Sequence, residues 1–106
     1  MKNYNEFQDY IAMLAADFKD SGYKYAEDYA MECADNSEYV IYYAKAWDLV
    51  TLVRDSNYDL YSEGAEHASD CMSESTDLDQ QMVSVAYWII LTTVIEAVVK
   101  LALTEE

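Results

Sequence analysis

Residues 82–95 read MVSVAYWIILTTVI, fourteen consecutive positions without a charge. Polar residues return on both sides. Asp77 and Asp79 precede the run, and Glu96 and Lys100 follow it as an i,i+4 pair. The pattern predicts one helix from Asp77 to Leu103. Thr76 is a candidate cap, with Asp79 at the capping-box position where Glu is usual. Fourteen residues fall short of the roughly 20 that a membrane span requires. A helix apolar on every side has to be covered. It is therefore either the central helix of a bundle or the seam of a homodimer.

The remaining composition agrees with a helical fold. Among 106 residues there is no Pro, and Gly22 and Gly64 are the only glycines. Hairpins and repeated turns normally need more of both. The chain carries 21 acidic and 6 basic residues, a formal charge of −15, yet 53% of it is apolar and 11 residues are Tyr. Acidic disordered segments are poor in aromatics, so this chain is expected to fold as one domain over residues 1–106. The expected class is all-α or mainly α, a compact bundle of four to five helices with a long apolar C-terminal helix.

Upstream, Phe7, Tyr10, Ile11, Leu14 and Phe18 recur at helical spacing and predict a helix from Asn5 to about Asp20. Gly22 suits a left-handed stop after it. A second helix is predicted from about Lys24 to Ala34, then a break at Asn36-Ser37 with Ser37 as cap. Glu38 to Arg54 opens with the β-prone run Tyr39-Val40-Ile41-Tyr42-Tyr43 and continues as helix-prone sequence. Its length, and Val40, Tyr43, Ala44, Trp47 and Val50 at helical spacing, favour a helix over a strand. Asp55-Ser56-Asn57 reads as a turn. A fourth helix is predicted from Tyr58 to Met72, with Leu60, Gly64, Ala65, Ala68 and Cys71 as its inner face.

Catalytic and metal patterns are weak. His67 is the only histidine, so neither a di-metal Glu-x-x-His pair nor an assignable nucleophile triad can be built. Asp55, Asn57, Asp59, Glu63 and Glu66 match positions 1, 3, 5, 9 and 12 of a calcium loop, but Leu60 stands where glycine is required. Cys33 and Cys71 are read as small apolar residues on helix faces, with a disulfide left open. No enzymatic activity and no cofactor are expected. The first residues, Met1 to Asn5, lack the apolar core of a signal peptide, so a cytoplasmic location is expected.

The charge pattern is more informative. From Asp55 to Asp79 there are eight carboxylates and no Lys or Arg. Asp59, Glu63, Glu66, Asp70, Glu74 and Asp77 step by three or four residues, the spacing of one helical face. Like charges at that spacing destabilise a helix by roughly 0.2–0.5 kcal/mol per pair, so binding is a better reason for the row than stability. Glu27, Asp28, Glu32, Asp35 and Glu38 form a second acidic patch. Tyr58 and Tyr61 lie among the acids and suit an interface, since Tyr joins large area to a polar tip. Tyr25, Tyr39 and Tyr42 have similar surroundings, whereas Tyr10, Tyr29, Tyr43 and Tyr87 lie on apolar stripes and are expected in the core. Such a surface excludes nucleic acid and anionic membrane as direct partners and favours a basic partner.

The chain resembles the small acidic, Tyr-rich early proteins of bacteriophages, most closely over Asp35 to Ala46, DNSEYVIYYAKA. Its composition also resembles the overcome-classical-restriction proteins, acidic helical dimers that mimic bent DNA, and anti-CRISPR proteins of the DNA-mimic type. The resemblance implies an inhibitor of bacterial defence in the infected host cell. Its partner would be a basic nucleic-acid-binding complex, a CRISPR-Cas effector or a restriction enzyme. Two other classes stay open: an antitoxin or immunity-type inhibitor of a basic toxin, and a structural or cation-binding phage protein.

Overall fold

The 27-residue helix α6, Leu78–Thr104, is the element onto which the rest of the chain packs. Its length of about 40 Å nearly matches the 45 Å long axis of the molecule. All five other helices, α1 (Tyr4–Ala16), α2 (Ala26–Asn36), α3 (Glu38–Ile41), α4 (Tyr43–Ser56) and α5 (Tyr58–Cys71), contact it. The computed structural model describes residues 2–71 and 77–104. The described residues contain these six helices, a 3-10 turn at Asp17–Asp20, and no strand. The fold is all-α. The Cα radius of gyration, 13.6 Å, is close to the roughly 13 Å of a compact chain this long.

Of the two roles foreseen for the apolar helix, the fold displays the central one. Val85, Ala86, Ile89, Ile90, Val94 and Val98 are buried along α6. Phe7 and Ile11 of α1, Ala30 and Ala34 of α2, and Leu49 and Val53 of α4 are among the buried residues that join them in the core. Each fully buried side chain of Leu, Ile or Phe size contributes about 1.5–3 kcal/mol. By length and composition α6 could also cross a membrane, but a buried core helix passes the same test.

Helix boundaries follow local chemistry. Asn3 caps α1 by accepting from the Glu6 amide at 2.9 Å. Gly22 takes φ +83°, the left-handed conformation that glycine reaches most easily. The Ser37 hydroxyl accepts from the Tyr39 amide at 3.2 Å and pairs with the Tyr10 hydroxyl at 3.0 Å. Asn57 alone separates α4 from α5, accepting from the Leu60 amide at 3.3 Å. The expected turn at Asp55-Ser56-Asn57 is thus narrower, because α4 runs through Ser56.

Three expectations need correction. The segment from Glu38 to Arg54 is two helices, broken at Tyr42 in extended backbone (φ −107°, ψ 123°), which raises the helix count to six. The β-branched and aromatic run around Tyr42 lowers the local helix preference. The break also shifts the helical phase. Tyr39 is buried at 9% exposure, while Tyr43 and Trp47, expected inside, are 46% and 38% exposed. Finally, Asp77 does not continue the α5 face. It caps α6, accepting from the Asp79 amide at 3.0 Å and the Gln80 amide at 3.4 Å. Thr76 and Glu74 lie outside the described residues.

Candidate partner-binding face

The acidic face is built on α5 by what lies behind it. Gly64 and Ala68 are buried on the inner side of the helix, and Leu60 and Ala65 are half-buried. A Cβ on Gly64 would stand 3.2 Å from Val85 Cγ1 and 3.3 Å from Trp88 Cδ1, so α5 lies directly against α6. Asp59, Glu63, Glu66 and Asp70 are all exposed. They lie on one outer face over about three turns and roughly 16 Å of helix. That is one charge per ~5 Å, against one per ~3.4 Å along a single DNA strand.

Helix α5 carries no Lys or Arg to offset this row. Asp59, in the first turn, is favoured by the helix dipole, whereas Asp70 sits near the negative end, and the last turn carries no basic residue. The cations nearest in sequence are engaged elsewhere. Lys45 pairs with Glu38 at 3.0 Å and Arg54 with Asp55 at 3.5 Å.

The second patch divides between two elements. Glu27, Asp28, Glu32 and Asp35 are exposed on α2, and Glu38 is exposed on α3. The Glu38 carboxylate raises the Lys45 pKa. The Tyr23 hydroxyl bonds to Glu32, which raises the phenol pKa. Helices α2 and α5 each pack on α6 and not substantially on one another. The two patches are therefore separate, and Asp77, at the start of α6, belongs to neither row.

Tyr58 is 65% exposed and its ring lies 5.7 Å from that of half-buried Tyr61. It stands beside Asp59 at the start of the acidic row. Tyr25 and Tyr42 are also exposed.

The groups that could carry chemistry are otherwise occupied. Cys33 is a free thiol, and burial pushes its pKa up, away from thiolate reactivity. It lines a depression of about 420 Å³ with Tyr10, Tyr23, Tyr29, Glu32 and Ser37. The His67 ring stacks on Trp88. The calcium-like spacing falls on α5 from Tyr58 onward, and a helix spreads those ligands along its length instead of wrapping them round an ion. Among the described residues no group of three or more His, Cys, Asp and Glu is placed to hold a metal.

No family model, curated protein or solved structure matches this chain. The site therefore rests on its own geometry.

Sequence reasoning missed one set of surface residues, Ile41, Trp47 and Leu78, which are all more than a third exposed. The β-prone run from Tyr39 to Tyr43 was the available signal, because a break there rotates everything after it.

Proposed function

We propose that the protein is a non-enzymatic DNA mimic that occupies the DNA-binding surface of a bacterial defence complex, a CRISPR-Cas effector or a restriction enzyme. The observation that carries this reading is the α5 row: Asp59, Glu63, Glu66 and Asp70, exposed together on a helix with no Lys or Arg. DNA-binding clefts hold Lys and Arg spaced for phosphates and gain affinity from counterion release. A rigid helix bearing carboxylates at a similar density offers such a cleft the same contacts without base readout. The resemblance to acidic phage proteins supports the same reading. Glu27, Asp28, Glu32 and Asp35 on α2 would extend the footprint.

The test is capture of partners from a defence-proficient bacterial lysate by the tagged protein, with mass spectrometry of what added DNA and stepwise salt release. A DNA-binding nuclease or CRISPR complex released by both is the expected result. The triple variant Asp59→Lys, Glu63→Lys, Asp70→Lys should lose that partner while keeping its helical circular dichroism. Undiminished capture by this variant would remove the proposed face. A partner held regardless of DNA would indicate a toxin neutraliser or an inhibitor acting away from the cleft.

A further inference from the structure

Five large apolar side chains are exposed on adjoining segments where α3, α4 and the first turn of α6 come together. Ile41 is 55% exposed, Tyr42 60%, Tyr43 46%, Trp47 38% and Leu78 58%. Scattered exposed apolar side chains are ordinary. A group of them rimmed by polar residues marks an interaction surface.

The aromatic part of this surface is held in place. Tyr43 and Trp47 are one turn apart on α4, and both are tied by their polar ends to the start of α6. Gln80 Nε2 donates to the Tyr43 hydroxyl at 2.6 Å, and Trp47 Nε1 donates to Asp79 Oδ1 at 2.7 Å. Leu78 immediately precedes Asp79. Tyr42 holds the extended backbone between α3 and α4. Rings ordered before a partner arrives lose little further freedom on binding.

The border of the surface is acidic. Asp48 follows Trp47, Asp77 precedes Leu78, and both are exposed. The neighbouring cation, Lys45, is held by Glu38 at 3.0 Å. A second copy of this chain is a poor occupant, because each copy brings a charge of −15 and the two would repel. A basic occupant is attracted. Arg suits the surface better than Lys. Its guanidinium is planar, weakly hydrated, stacks on aromatic faces and bonds carboxylates through a fork.

We infer that Tyr42, Tyr43 and Trp47 form an arginine-docking surface, on which guanidinium groups of a basic protein partner lie against the rings while Asp48 accepts their N–H donors. The inference rests on the reading above for the basic character of the partner. It adds that contact is anchored at the α3–α4 junction, away from the α5 row, and that it discriminates Arg from Lys.

The probes are deca-arginine and deca-lysine peptides of equal charge, titrated against the full chain at near-physiological salt by calorimetry and Trp fluorescence. Stacking on two rings gives an expected preference for the arginine peptide of about fivefold or more. Tyr42→Ala should reduce that preference and leave lysine affinity unchanged, and Tyr42→Phe should retain it. Trp47→Phe, which keeps a ring but loses the N–H that Asp79 accepts, should retain part of the preference. Neutralising Asp59, Glu63 and Asp70 should weaken both peptides alike. Equal affinity for the two peptides, or a preference untouched by Tyr42→Ala, overturns the arginine surface. DNA-displaceable capture of a nuclease would still support mimicry in that case. Conversely, an arginine preference lost in Tyr42→Ala beside a partner that DNA does not displace would sustain this surface and sink the mimicry reading.

Discussion

The imidazole of His67 lies nearly parallel to the indole of Trp88, with ring centroids 4.0 Å apart and planes 20° apart. The contact joins α5 to α6 and makes the only histidine in the chain part of their packing. His67→Ala should lower stability by about 0.5–1.5 kcal/mol, the worth of such an aromatic pair beyond its buried area. Urea unfolding measures the loss, and a red shift of Trp88 emission in the folded variant would report its opened indole. An unchanged midpoint would mean the stack contributes nothing.

Gly64 sets how closely α5 approaches α6, with Val85 and Trp88 atoms 3.2 and 3.3 Å from where a Cβ would stand. Gly64→Leu should cost roughly 1–3 kcal/mol through overpacking, despite the better helix propensity of Leu. At about 4–8 °C per kcal/mol for a domain of this size, differential scanning calorimetry resolves the change. A raised Tm would show that α5 can move away freely.

Ser37, 4% exposed, serves two helices. It caps α3 and pairs with the Tyr10 hydroxyl of α1. Ser37→Ala should cost about 1–2 kcal/mol from the cap, plus the penalty of a Tyr10 hydroxyl left without its partner. Tyr10→Phe in the Ser37→Ala background should then be less damaging than Tyr10→Phe alone. Strict additivity in this double-mutant cycle would indicate that the two hydroxyls act independently.

Burial, above all, raises the pKa values of Tyr10, Tyr29, Tyr39 and Tyr87. Tyr29 also lies against Cys33 and donates to the Leu14 carbonyl at 2.6 Å. Folding thus holds these phenols protonated. Their stabilisation is complete below the ordinary Tyr value of about 10 and is lost as pH climbs through the raised folded values. Urea midpoints should fall steadily from pH 9 to 11.5. Tyr29→Phe should flatten that fall, while costing about 1 kcal/mol at pH 7 for the lost bond. An identical slope in the variant would reassign the alkaline loss to other groups.

The α5 row trades stability for charge. Changing Asp59, Glu63, Glu66 and Asp70 to their amides removes three like-charge contacts at helical spacing, each worth roughly 0.2–0.5 kcal/mol. Melting in 10 mM salt should therefore shift upward for this variant, and the gap to the parent should narrow near 0.5 M salt, where screening acts over only a few ångströms. A lower Tm at low salt would mean that the carboxylates hold the helix in place.

What could be read from the chain depended on whether its cause was local. The uncharged run from Met82, the stop at Gly22 and the cap at Ser37 are short-range features, and each lies where its residues indicated. The inner face of α5 was legible for a similar reason, since small residues at helical spacing have little purpose except close approach. The phase of α4 was not legible. It turns on the two backbone angles of Tyr42, and these decide whether Tyr39 or Tyr43 faces inward. Asp77 looked like a member of the charged row because pattern alone cannot distinguish a carboxylate that caps a helix from one left to solvent, and Asp79, expected at a capping-box position, receives the Trp47 indole N–H across 32 residues. The His67–Trp88 stack joins residues 21 positions apart and leaves no trace in spacing.

Because every other helix rests on α6, the order of the elements along the chain has a consequence for biosynthesis. Translation adds roughly 5–20 residues per second, so the 27 residues of α6 take about 1–5 s to make. During that interval α1 to α5 have left the peptidyl-transferase centre without the surface they are shaped to cover. The nascent chain must spend those seconds with its apolar faces unsheltered. A formal charge of −15 makes neighbouring nascent chains on a polysome repel one another while those faces are bare.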